Sequence, residues 1–256
     1  MNIKTYNSFL NSKIANNNKE KFDLITASNV FAHVDDIQNM TKNISTMLKK
    51  TGVFIIEVQY FPKMLVDGSF DNIYHEHVNY WCLLSLNHFF KKNNLKIFDV
   101  QIIDTHGGSI RTYVKRLENE DLKITNNVKK ILNYEKKIGL GNKNLFLKFQ
   151  KKINNRKEKL ITNLKRFKKK KLLIVGYGAP AKASTLINFF KISKYIKYII
   201  DDNPLKNGKY IPNTNIKIIK KLREKKIDVI LVFAWNYFKE IKNKNKKIAQ
   251  KFLKIF

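Results

Sequence analysis

The densest concentration of reactive side chains is the segment 70–81, FDNIYHEHVNYW, in which Tyr74, His75, Glu76 and His77 are consecutive. A carboxylate beside an imidazole can orient the ring and raise its basicity, as a general base requires. Two further imidazoles stand in separate loops, His33 behind a short apolar run and His106 in the turn THGG (105–108). A lone loop histidine is more often a structural hydrogen-bonding group, but this cluster with two more loop imidazoles points to proton transfer. His75 and His77 have no evident third ligand, so no metal is expected. Neighbours on a regular strand face opposite ways, so the loop must be irregular if Glu76 and His77 are to serve one site.

The second motif is Gly176-Tyr177-Gly178-Ala179-Pro180-Ala181, behind an apolar strand and opening a helix. It fits the relaxed pattern G-x-G-x-x-G/A, whose glycines let backbone approach a phosphate at a helix N-terminus. Asp201 and Asp202 end the following strand, where a dinucleotide fold places its ribose-binding acid. Taken alone this points to a nicotinamide-dependent oxidoreductase, although no Tyr-x-x-x-Lys pair stands near it. The plainer reading is a tight strand–helix turn that binds nothing.

These loops need elements to hold them. KFDLITASNVF (21–31) reads as a buried parallel strand, Asp35 and Asp36 as the cap of a helix, Gly52 as its stop, and VFIIEV (53–58) as the next strand. LLSLNHFFKKNN (83–94) has helical spacing, and LKIFDVQII (95–103) and SIRTYVKR (109–116) form an antiparallel pair about THGG. Residues 119–170 are lysine-rich helical stretches expected to link two domains. From 171 the α/β rhythm restarts: strand, Gly-rich loop and helix, then YIKYIIDDNP, then NIKII leading into a short helix, then DVILVFAWNY and a final helix of roughly the last 19 residues. The expected domains are 1–118, a linker over 119–170, and 171–256.

The chain has 256 residues, 43% hydrophobic, enough for a real core. It contains no apolar run of membrane-spanning length, no secretory signal at MNIKTYNSF and one cysteine, Cys82, which together suggest a cytoplasmic protein without a disulfide framework. The net charge of +31 invites a nucleic-acid reading. Only five of the 51 basic residues are arginine, however, and base readout leans on arginine, so no specific nucleic-acid partner is expected. All five histidines lie in the first half, whereas the excess lysine lies in the second.

In order, NVFAHV (29–34), FDNIYHEH (70–77), THGGSIR (105–111), GYGAPAKAST (176–185), DDNPLKNGKYIP (201–212) and AWNY (234–237) resemble the sugar C-methyltransferase family over nearly the whole chain. The resemblance implies an α/β fold: a partial class I methyltransferase sheet, then a second Rossmann-like domain. It implies S-adenosylmethionine as cofactor and a nucleotide-diphosphate keto sugar as substrate, methylated at a carbon next to the ketone. It also assigns roles: His77 as base oriented by Glu76, Tyr74 as oxyanion donor or alternative base, His33 polarising the keto oxygen, and Asn29 in the remaining donor pocket. Gly178, Lys182 and Asn203 would hold the nucleotide diphosphate. The chain lacks the family's cysteine quartet and Gly-rich donor loop, opens where the fourth strand of the sheet is due, and is expected to stop before the last family strand. It is then a fragment, a non-catalytic nucleotide-sugar-binding remnant, or one half of a site whose other half a separate polypeptide supplies.

Overall fold

A computed structural model describes residues 3–220 and 226–255, with His106 described by its backbone only. Its contacts divide the chain into two units, one of residues 1–63 and 76–141, the other of 64–75 and 142–256.

The first unit contains α1 (Ser12–Asn17), β1 (Phe22–Ser28), α2 (Ile37–Met47), β2 (Leu48–Gln59), α4 (Leu83–Lys92), β3 (Leu95–Ile103), β4 (Ser109–Arg116) and α5 (Asn126–Lys137). The label α3 belongs to Phe61–Asp67, a short helix that crosses the division at residue 63. The sheet order is β1-β2-β4-β3, with β1 parallel to β2 and the other pairs antiparallel. Asp36 caps α2 by accepting from the Asn39 N–H at 3.0 Å, as its position in the sequence predicts. Gly52 is not the helix stop. The helix ends at Met47, the strand begins at Leu48, and Gly52 lies within β2, where a Cβ would come within 3.0 Å of the Phe22 carbonyl oxygen. Phe31, Phe54, Leu86 and Phe90, all without exposed surface, form the centre of the core.

The second unit contains α6 (Lys143–Lys169), β5 (Ile174–Tyr177), α7 (Ala181–Phe190), β6 (Tyr198–Ile200), β7 (Lys217–Ile219), β8 (Ile227–Val232), α8 (Phe238–Asn245) and β9 (Ala249–Lys254). Its sheet is wholly parallel, in the order β7-β6-β5-β8-β9. Both faces are covered, since alternate strand residues feed two separate clusters: Val229, Leu231 and Phe233 join one, Ile230 and Val232 the other. The final segment is not all helix. Its last part forms β9, paired with β8 from Ile227↔Ala249 to Val232↔Lys254, so a further strand is present where none was expected. The short helix expected after NIKII falls on residues 221–225, outside the described residues. The lysine-rich stretch expected as one linker is divided, α5 belonging to the first unit and α6 to the second.

Among the described residues no helix is long and apolar enough to cross a membrane.

Candidate active site

In the first unit the loop after β1 and the loop before α4 are strapped together by backbone. The Ala32 carbonyl accepts from the N–H groups of Val78 (3.0 Å) and Asn79 (3.2 Å), and the Asn79 side chain donates to the Val34 carbonyl at 3.0 Å. Phe31 anchors the first loop, packing its ring among those of Phe54, Trp81, Phe89 and Phe90. Residues 73–80 form neither helix nor strand, the irregularity that the sequence requires of this loop.

His33 and His77 meet across these loops, ring centroids 4.8 Å apart, and Tyr80 stands edge-on to His77 at 6.2 Å. His33 Nδ1 lies 2.8 Å from the Glu76 carbonyl oxygen. A carbonyl only accepts, so Nδ1 carries the hydrogen and neutral His33 presents a lone pair on Nε2. In that form it can take a proton; it polarises a keto oxygen only as imidazolium. Glu76 thus contributes to the pair through its backbone, holding His33.

Asn29 stands at the tip of β1 in the left-handed region (φ 55°), and its N–H donates to the Glu57 carbonyl at 2.9 Å. The Glu57 carboxylate, buried at the end of β2, takes Arg111 Nη2 at 2.9 Å and the Thr105 hydroxyl at 2.8 Å, fixing the THGGSIR turn to the sheet. Glu57 is missed by motif reading, although it is the lone acid in the apolar run VFIIEV. Tyr74 belongs to the other unit, where its ring lies 6.0 Å from that of His75.

In the second unit the Gly-rich loop is filled from within. Asp201 accepts from the Ala179 N–H at 2.6 Å, and Lys206 Nζ reaches both the Ala179 carbonyl (2.9 Å) and Asp201 (3.3 Å). Gly178 has φ 83°, and a Cβ there would come within 2.7 Å of the Ala234 Cβ, so its glycine is required by the neighbouring turn. Asn203 accepts from the Leu205 N–H at 3.0 Å, capping a short 3-10 turn. Asp202 takes Lys244 Nζ at 2.8 Å and the Tyr177 hydroxyl at 3.0 Å, and the lysine holds its pKa below the usual carboxylate range. A cleft of about 440 Å³ opens beside them, lined by Tyr177, Gly178, Asp202, Tyr237 and Lys244 among others.

Lys182 is different. Half-buried in the first turn of α7, its Nζ lies 4.3 Å from the centroid of the Trp235 indole. Burial pushes its pKa down.

Among the described residues no three of His, Cys, Asp and Glu gather as a metal site. The glycines of the first unit are the mid-strand Gly52, Gly107 and Gly108 of the β3–β4 turn, and Gly139 and Gly141 beyond α5. None of them forms a strand–loop–helix cradle that would hold a methyl donor by itself.

Residues 104–255 match the C-methyltransferase C-terminal domain family, and residues 3–100 match a methyltransferase domain family. The C-methyltransferase NovU of Streptomyces niveus is 29% identical over 230 residues, covering 89% of this chain and 54% of that protein. The chain therefore spans about half the length of this curated relative. Solved structures include a SAM-dependent methyltransferase from Thermotoga maritima, described as a possible histamine N-methyltransferase (17% identity, TM-score 0.33, 39% of this chain and 57% of that one). Magnesium protoporphyrin IX methyltransferase from Synechocystis PCC 6803 is similar at 12% identity and TM-score 0.31, over 38% of this chain and 45% of that one.

Proposed function

We propose, from the premise that this chain belongs to the C-methyltransferase C-terminal domain family, that it carries the methyl-acceptor half of a sugar C-methyltransferase dependent on S-adenosylmethionine. The substrate is a nucleotide-linked keto sugar, and the place of work is the cytoplasm. The observation that carries the reading is the His33–His77 pair at 4.8 Å on strapped, irregular loops. Methylation beside a ketone begins with removal of a weakly acidic C–H proton and leaves an enolate. His77 takes that proton; Tyr74 donates to the enolate oxygen or is the alternative base. His33, fixed through Nδ1 by the Glu76 carbonyl, acts on the keto oxygen from Nε2 as imidazolium. Bound donor supplies an electrophilic methyl group.

The rest of the donor pocket comes from the half of the family's length that this chain does not span, on this polypeptide or a separate one. The open edge of β1 supports this: among the described residues β1 pairs only with β2, and Leu24 on it is 55% exposed. In the second unit Lys182, with Gly178 and Asn203 shaping neighbouring turns, faces the diphosphate. A dinucleotide reading is less favoured, because Asp201 already takes the Ala179 N–H that a pyrophosphate would use.

The test follows the carbon next to the ketone of a dTDP-keto-deoxysugar by NMR in deuterated water without methyl donor. Protein-dependent deuterium exchange is expected, together with weak or no binding of S-adenosylhomocysteine to this chain alone. Sugar-nucleotide binding without exchange would leave a binding remnant. Micromolar binding of S-adenosylhomocysteine would show that the donor pocket is whole.

A further inference from the structure

Three stretches far apart in the sequence converge on one indole in the second unit. Trp235, in the turn after β8, donates from Nε1 to Asp71 Oδ2 at 2.7 Å across 164 positions of sequence. Lys182, from the start of α7, sets its ammonium 4.3 Å from the indole centroid; Lys254, at the end of β9, sets a second at 5.9 Å. Neither lysine has a carboxylate within ion-pair distance among the described residues. The helix that begins beside them has Pro180 at its cap and no side-chain cap bond.

Asp71 is 1% exposed, and its Oδ1 has no hydrogen-bond partner among the described residues. Most buried polar atoms are satisfied, and an exception calls for a reason. We propose that Asp71, Trp235 and Lys254 complete a phosphate site with Lys182: the buried carboxyl fixes the indole, and the indole holds two ammonium groups at the uncapped start of α7 for the diphosphate of the substrate. This deepens the proposed function and rests on its assignment of Lys182.

The physical parts agree. A cation over an indole face is stabilised without being neutralised, so it stays available to an anion. The first turn of a helix adds unpaired N–H groups and a positive end. Burial shifts Asp71 towards its neutral form, which lessens the repulsion it presents to a phosphate. Asp71 and Trp235 are positioning residues, while the two lysines bind.

The experiment is calorimetric titration of the full chain with dTDP and with inorganic pyrophosphate, alongside tryptophan emission. Lys182→Met is expected to weaken dTDP at least tenfold and Lys182→Arg to restore most of it. A desolvated cation–π contact is worth enough for Trp235→Leu to weaken binding about tenfold, with Trp235→Phe in between because it keeps a face but loses the bond to Asp71. Lys254→Gln is expected to cost about threefold, the scale of an exposed contact. Binding should change the emission of wild-type protein, and that change should vanish in Trp235→Phe. If Lys182→Met is weak while Trp235→Leu and Lys254→Gln bind like wild type, the present inference is wrong and the Lys182 assignment stands. If Lys182→Met binds like wild type, or wild type binds neither probe, both are wrong.

Discussion

Glu135 offers a sharp test of what holds the base loop in place. It lies on α5, is 1% exposed, and accepts from the Tyr60 hydroxyl at 2.9 Å and from the backbone N–H groups of Leu83 (2.6 Å) and Leu84 (2.9 Å). It therefore caps α4 from a distant element, immediately after the loop that carries His77, and ties that helix to the end of β2. Burial beside this carboxylate pushes the Tyr60 phenol far up, so the tyrosine stays a donor throughout the working range. Glu135→Gln keeps the volume and makes no cavity. The amide has one oxygen for three donors, and its NH2 group faces a donor in turn. A hydrogen bond to a charged group is worth about 1.5–3 kcal/mol, and a negative charge at a helix start a further ~0.3–1 kcal/mol. Losing one such bond and the charge predicts a cost of about 3 kcal/mol.

Urea unfolding measures it. The protein has two tryptophans, one in each unit, so in a Trp235→Phe background emission reports Trp81 of the first unit alone. With a slope of about 1.5 kcal/mol per molar urea, the midpoint should fall by about 2 M. A fall below ~0.5 M would show that the three bonds are replaced by water or by rearrangement, and that Glu135 does not hold α4.

Three further outcomes are expected. His77→Asn should slow deuterium exchange at least ~100-fold, the scale of a lost general base, with little change in dTDP-sugar affinity; a large loss in Tyr74→Phe with His77→Asn near full rate would make the tyrosine the base. Gly178→Ala should destabilise the second unit by about 1–3 kcal/mol in thermal unfolding, since φ 83° and a Cβ 2.7 Å from Ala234 are both unfavourable, and an unchanged midpoint would contradict the packing. Duplex DNA should bind without sequence preference and lose most affinity between ~50 and ~200 mM salt in fluorescence anisotropy, because lysine-to-phosphate contacts release counterions; salt-resistant, selective binding would refute this.

Much of the fold is legible where one local rule acts alone. The apolar runs of β1, β5 and β8, the Asp36 cap of α2 and the THGG turn between β3 and β4 each announce themselves. The failures have a common cause, tertiary override. AQKFLK contains good helix formers and becomes β9 because the edge of β8 offers it a ladder. Gly52 looks like a helix terminator and is instead the residue small enough to pass the Phe22 carbonyl. In the site, residue types were visible but pairings were not. His33 meets Glu76 through a backbone carbonyl, and Asp71 meets Trp235 across 164 positions, contacts that no spacing rule encodes.

The second unit shows why a glycine motif is weaker evidence for a ligand than it looks. Gly178 is required because the turn after β5 passes within van der Waals reach of Ala234, whatever binds there. Asp201, placed where a ribose acid would be, instead accepts from the Ala179 N–H, and Asn203 caps its own turn. Any tight parallel strand–turn–helix needs a residue free of Cβ strain and an acceptor for the exposed N–H groups. The motif therefore reports the turn, and the chain's own carboxylate answers its polarity. Ligand capacity is better read from where cations gather away from such internal partners. Lys182 and Lys254 both approach the Trp235 indole, while Asp202 is already matched by Lys244 and the Tyr177 hydroxyl. The similarity to a dinucleotide loop is one of backbone geometry, and the anion is better sought at the indole.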